Sequence, residues 1–153
     1  MANSVPNSAK VMYQKGQIAM ADKAGTGSAD TFKMILMAPG FVFDKDTHNS
    51  YADVIAYEVA SGNGYTTGGA TLTGVTCLID NTSDLARTTW ANVTWTASAG
   101  SISASGAIIY DDSTDSATDD YTDAVISYKD AGGTITATDG TPIIFSSIIE
   151  TLS

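Results

Sequence analysis

Six aspartates crowd into fourteen residues at YDDSTDSATDDYTD (110–123), the densest set of charged oxygen donors in the chain. Asp111, Asp112, Asp115, Asp119, Asp120 and Asp123 are hard ligands of the kind Ca²⁺ takes. Their spacing lacks the central glycine and the terminal bidentate glutamate of a helix–loop–helix calcium site, so the stretch reads as a solvated loop and no metal is expected. His48 is the only histidine and sits in DKDTHNS beside Asp46 and Asn49. It has the chemistry of a general base or of the last ligand in a DxDxxH-like set. With no second histidine and no nearby cysteine, it reads instead as a turn or helix-start residue. Serines are abundant enough for a Ser-His-Asp triad, but no G-x-S-x-G elbow is present. GTGS at 25–28 lacks both the lysine and the preceding strand of a phosphate loop, so it reads as a plain loop. No catalytic constellation emerges, and neither an enzyme nor a cofactor is expected.

Aromatic residues offer a different chemistry. Trp90 and Trp95 with Tyr51, Tyr57, Tyr65 and Tyr110 have the ring faces of a sugar-stacking platform. Strand parity puts Trp95 with Val93 and Ala97, toward a core. Tyr65 lies in the glycine-rich GNGYTTGG and is the better candidate for surface contact.

The elements that would position these residues are mainly strands. Residues 1–9 (MANSVPNSA) are small and polar and read as an arm. KVMYQKGQIAMADKA allows a short helix interrupted by Gly16, and AGTGSAD is a loop by composition. TFKMILM (31–37) is a β-type apolar run closed by Pro39 and Gly40. Ser50 with Asp53 three residues on resembles a capping box. Tyr51, Val54, Ile55 and Val59 share a helical face and Gly62 stands where a C-cap glycine belongs, predicting one short helix at about 50–60.

Strands fill the rest of the chain. ATLTGVTCLID precedes a DNTSD turn, and Val93, Trp95 and Ala97 alternate with polar neighbours. In SISASGAIIYDD, Ile102, Ala104, Gly106, Ile108 and Tyr110 share one parity, the pattern of a half-buried strand. DAVISYK, an AGG turn, GTITAT, an Asp139-Gly140 hairpin turn and PIIFSSII complete the series, with Pro142 at a strand start. Seven to nine short strands imply a single β-sandwich, jelly-roll-like or immunoglobulin-like, over residues 31–153, preceded by an N-terminal arm and loop over 1–30.

Composition supports this and narrows the partners. A chain of 153 residues with 43% hydrophobic and 16% charged residues can build one core without disulfides. The single cysteine, Cys77, lies in VTCLID and reads as a small core residue. The formal net charge of -10 is uneven: residues 1–45 carry +2 and residues 46–153, with only Arg87 and Lys129 as cations, carry -12. Such a body repels nucleic acid, while the N-terminal part is drawn to an acidic surface. MANSVPNSAK lacks the apolar stretch of a signal peptide, and no run approaches the roughly 20 residues of a membrane span. A protein made in a reducing cytoplasm, without membrane attachment, is the expectation.

TFKMILM followed by FVFDKDTH, YADVIAYEVASGNGYTTGGATL, DNTSDLA, VTW and GAIIYDD resembles the small head-associated structural proteins of tailed bacteriophages. The likeness covers about residues 31–112 in order and continues more loosely through Ile149. The acidic insertion before DAVISYKD departs from the family pattern. The resemblance implies a non-enzymatic decoration or cement protein on the capsid exterior, assembled in the host bacterial cytoplasm. Its partners would be the major capsid protein and further copies of itself, a trimer ahead of a dimer. On that reading the contacts fall to Lys10, Tyr13 and Lys15 of the arm and to Tyr65. About ten extended residues reach roughly 33–36 Å, enough for an arm to cross a subunit boundary. A tail or head-fibre protein and a carbohydrate-binding module are the alternatives.

Overall fold

The computed structural model of the chain describes residues 2–20, 30–82 and 85–152. GTGS, most of the AGTGSAD loop and the last two residues of the DNTSD turn lie outside them. The fold is mostly β, with several sheets and two short helices. Its strands are β1 (Ala2–Ser4), β2 (Phe32–Met37), β3 (Ala70–Thr71), β4 (Thr76–Asp80), β5 (Leu85–Trp90), β6 (Val93–Thr96), β7 (Ile102–Asp111), β8 (Ala124–Ala137), β9 (Pro142–Phe145) and β10 (Ile148–Leu152). They form an antiparallel sheet in the order β1-β8-β7-β2-β3, a second in the order β10-β5-β4, and a β6-β9 pair.

The large sheet is apolar on both faces. Met34, Leu36, Ala107, Ile109 and Ile126 join a core with Trp90, Val93, Trp95, Phe145 and Ile148 from the smaller sheets. Ile35, Met37, Ile108, Tyr110, Val125 and Tyr128 face the other way, under Phe41, Phe43 and Tyr51. This corrects the half-buried strand expected over residues 101–110. Ile102 and Ala104 belong to the first core but Ile108 and Tyr110 to the second, although all four share sequence parity. The register of β7 on β8 shifts between Ala104 and Gly106, and that irregularity exchanges the faces. On the β8 side the displaced residues are the AGG stretch, which is therefore a bulge inside one long strand and not a turn between two.

The N-terminal segment is a second correction. An extended free arm was expected, yet Ala2–Ser4 pairs with Tyr128–Asp130. Helix α1 (Asn7–Lys15) then buries Ala9 and Met12 in the main core. It stops where Gly16 takes a left-handed φ of 72° and Gly16 and Gln17 N–H groups return to the Tyr13 and Met12 carbonyls. The helix expected at 50–60 exists but is short: α2 (Tyr51–Val54) is followed by a 3₁₀ turn at Ile55–Tyr57. Its start is the Ser50–Asp53 capping box. Gly62 does not cap it; the chain there bridges back to Tyr65. The Asp139-Gly140 turn also forms, but β9 leaves it to pair with β6, so no β8–β9 hairpin results.

Candidate functional site

The four residues expected to make contacts are not brought together. Lys10 is exposed on α1. Lys15 is bound within the chain by Asp120 of the acidic loop at 2.7 Å, so the basic N-terminus meets its own acidic segment. The Tyr13 hydroxyl is buried without a hydrogen-bond partner among the described residues, and burial beside Glu150, Asp111 and Asp30 drives its pKa well up. Tyr65, expected at the surface, is 2% exposed. The glycines around it permit close approach of the loop to its own body. A Cβ on Gly64 would stand 2.2 Å from the Thr96 carbonyl oxygen, and one on Gly69 2.0 Å from that of Met34. The aromatic platform is dismantled in the same way, since Trp90, Trp95 and Tyr110 are core residues.

His48 is a turn residue. Its Nδ1 accepts the Asp44 N–H at 3.1 Å, and its ring stacks on Phe41 with centroids 5.3 Å apart. In the acidic loop, Asp120 is spent on Lys15, Asp115 accepts the Ala117 N–H and Asp119 the Asp115 N–H. Among the described residues no group of three or more His, Cys, Asp or Glu side chains could hold a metal ion.

Three buried acid centres take their place, and sequence reasoning singled out none of them as such. Glu58 is carried beside the end of β2 by its bridge to Met37 and by the flanking Val59 N–H bond to the Leu36 carbonyl. Its carboxylate accepts the Tyr51 and Tyr65 hydroxyls, each at 2.6 Å, and the Gly68 N–H at 2.8 Å. The Tyr65 oxygen in turn accepts the Leu36 N–H at 3.0 Å. Burial and the Glu58 charge push both phenols upward in pKa.

Asp111, at the end of β7, is fully buried. Its Oδ1 accepts the Ser113 N–H at 2.9 Å, while Oδ2 has no donor among the described residues and Asp30 lies nearby. Desolvation, reinforced by Asp30, pushes its pKa up to about 8. Burial and the adjacent Asp30 thus favour the protonated form of Asp111.

The third centre joins the two ends of the chain. Lys129 on β8 is 5% exposed and Glu150 on β10 is 2% exposed. Lys129 Nζ donates to Glu150 Oε1 at 2.5 Å, the Ile149 carbonyl at 2.6 Å and Asn3 Oδ1 at 3.0 Å. Asn3 Nδ2 donates to Glu150 Oε2 at 3.0 Å, and the Ser127 hydroxyl donates to Oε1. Asn3 and Lys129 are directly opposed in the β1–β8 register, which places both side chains on one face. Burial lowers the Lys129 pKa, and the Glu150 charge opposes that effect.

Compared with family models, curated proteins and solved structures, the chain matches none of them.

What the surface offers is apolar. Strand β4 pairs only with β5 among the described residues, leaving its outer edge open. It exposes Leu78 at 57% and Ile79 at 82%, with Val75 beside it at 40%. Cys77, expected in the core, is exposed here too, its sulfur 3.2 Å from Thr88 Oγ1. A cavity of about 420 Å³ runs from these residues to Tyr13, Ile18 and Met20. The CLI run was the signal in the sequence. Three consecutive apolar residues cannot all face inward from a strand whose side chains alternate between its faces.

Proposed function

We propose that the protein is a non-enzymatic decoration or cement protein on the outer surface of a tailed-phage head, its sheets packed as a β-sandwich. The observation that carries this reading is the open apolar edge at Val75, Leu78 and Ile79. A long, apolar and uncovered strand edge is a pairing surface that proteins working alone blunt with charge, proline or a covering element. Each of these side chains gains roughly 1.5–3 kcal/mol when fully buried, so a few of them can hold a subunit against a shell. The same-order sequence blocks that resemble head-associated proteins name the major capsid protein as the partner, with further copies of this chain beside it. The contact surface passes from the N-terminal segment, which is folded into the body, to β4 and its cavity.

The test is binding to purified heads that lack the protein. Ile79→Asp and Leu78→Asp chains should fold as the parent does and lose most of their occupancy. Full occupancy by both would end the β4 reading, and finding the wild-type protein on tails in imaged particles would move it to the tail or a fibre. A second reading, glycan binding, has one observation in its favour: an open cavity of about 550 Å³ beside Phe41, Phe43, Tyr128 and Asp130. A glycan array showing saturable binding that is lost in Phe41→Ala would support it over the first.

A further inference from the structure

We propose that Lys129 and Asn3 join through a side-chain amide, an isopeptide bond formed by the chain itself with Glu150 as the proton carrier. The inference stands apart from the head-binding reading and rests on the arrangement of three side chains.

Lysine and glutamate are rarely buried, and an ion pair shut away from water gains little over apolar packing. Lys129 is one of only two cations after residue 45, yet it is spent inside the protein. Its Nζ donates to the amide oxygen of Asn3 at 3.0 Å, which holds the nitrogen beside Cγ, the atom it would attack. Both reacting groups touch the same carboxylate, Nζ through Oε1 and the amide nitrogen through Oε2. That is the placement a proton carrier between nucleophile and leaving group requires. Desolvation favours the uncharged amine and so agrees with the geometry. Asn3 itself is exposed, which leaves a path to solvent for the departing group.

The reaction balances without a co-reactant. Glu150 takes a proton from the Lys129 ammonium, and the freed lone pair on Nζ bonds to Cγ of Asn3 while the carbonyl electrons move to Oδ1. Glu150 passes protons from Nζ to Nδ2, the Cγ–Nδ2 bond breaks, and the carbonyl reforms. One ammonium and one primary amide become one secondary amide and one ammonium ion, and Glu150 ends as it began. The bond ties the first strand to β8 and closes a loop spanning residues 3–129. It would hold a three-residue edge strand that otherwise rests on few backbone bonds.

The full chain, denatured and weighed by mass spectrometry, should be lighter by one ammonia, about 17 Da, than its sequence. Trypsin should then release residues 1–10 joined to residues 88–153, because the amidated Lys129 no longer offers a cleavage site. Lys129→Met and Glu150→Gln chains should keep the full mass and yield a free 1–10 peptide. A wild-type mass equal to the sequence, with cleavage after Lys129, would overturn the proposal. So would a loss of ammonia traced to Asn63-Gly64, where ring closure gives the same mass but leaves residues 1–10 unlinked.

Discussion

Glu58 and Glu150 are the same residue type, both taken out of water, and their neighbours give them different work. Glu58 is surrounded by donors that only hold it: two phenols and a backbone N–H. Glu150 touches an ammonium and a primary amide, two groups that can join by acyl transfer while it passes their protons. The first centre fixes a loop against β2. The second brings a nucleophile, an electrophile and a proton carrier to one point. Burial alone does not make a reactive site; the difference lies in what burial encloses.

The largest expected effect comes from breaking the Glu150 centre. Glu150→Ala leaves the Lys129 ammonium unlinked and uncompensated inside and should cost about 3–5 kcal/mol in chemical denaturation. A Lys129→Met, Glu150→Leu chain removes that buried charge but not the loss of the cross-link, so it should recover only part of the stability, and full recovery would mean that the amide contributes nothing. The next effect is one of pH, at Asp111. Its pKa of about 8 in the folded chain lies above the ordinary 3.8, so the folded state binds the extra proton. Its contribution is full below about pH 4 and is lost as the pH rises to about 8, a change on the order of a few kcal/mol. Among the described residues, Asp30 acts directly on Asp111, and Tyr13, Glu150 and Cys77 are titratable groups of the same region. Asp111→Asn, which carries no proton to lose, should flatten the pH–stability curve over that range.

A smaller effect belongs to Glu58. Tyr65→Phe removes the hydroxyl shared by Glu58 and the Leu36 N–H and should cost about 1–3 kcal/mol while the loss of ammonia relative to its own sequence persists. The smallest is Ile79→Asp, an exposed site, where stability should move by less than about 0.5 kcal/mol while any interface through β4 is lost.

Much of the fold was legible in local pattern. The capping box marked the start of α2, the apolar run at 31–37 marked β2, and Trp95 fell on the core side by alternation. What failed was non-local. Strand parity over 101–110 could not reveal the register shift, because the inserted residues lie on the partner strand. Ala2–Ser4 looks like a free arm because a three-residue strand has no periodicity to read. The Asp139-Gly140 turn was legible but the pairing after it was not, since a turn fixes direction and not partner. The candidate site was least legible. Asn3, Lys129 and Glu150 are spread across the whole chain and only the sheet order unites them. The one hint was Lys129 itself, one of only two cations after residue 45, at the end of the run AVISY.

The most direct measurement is the intact mass of the denatured full chain in three forms: wild type, Glu58→Gln and Glu150→Gln. If the enclosed neighbours decide reactivity, wild type and Glu58→Gln will both lack one ammonia and Glu150→Gln will keep it. Equal masses relative to sequence in all three, whether with or without the loss, would contradict the account.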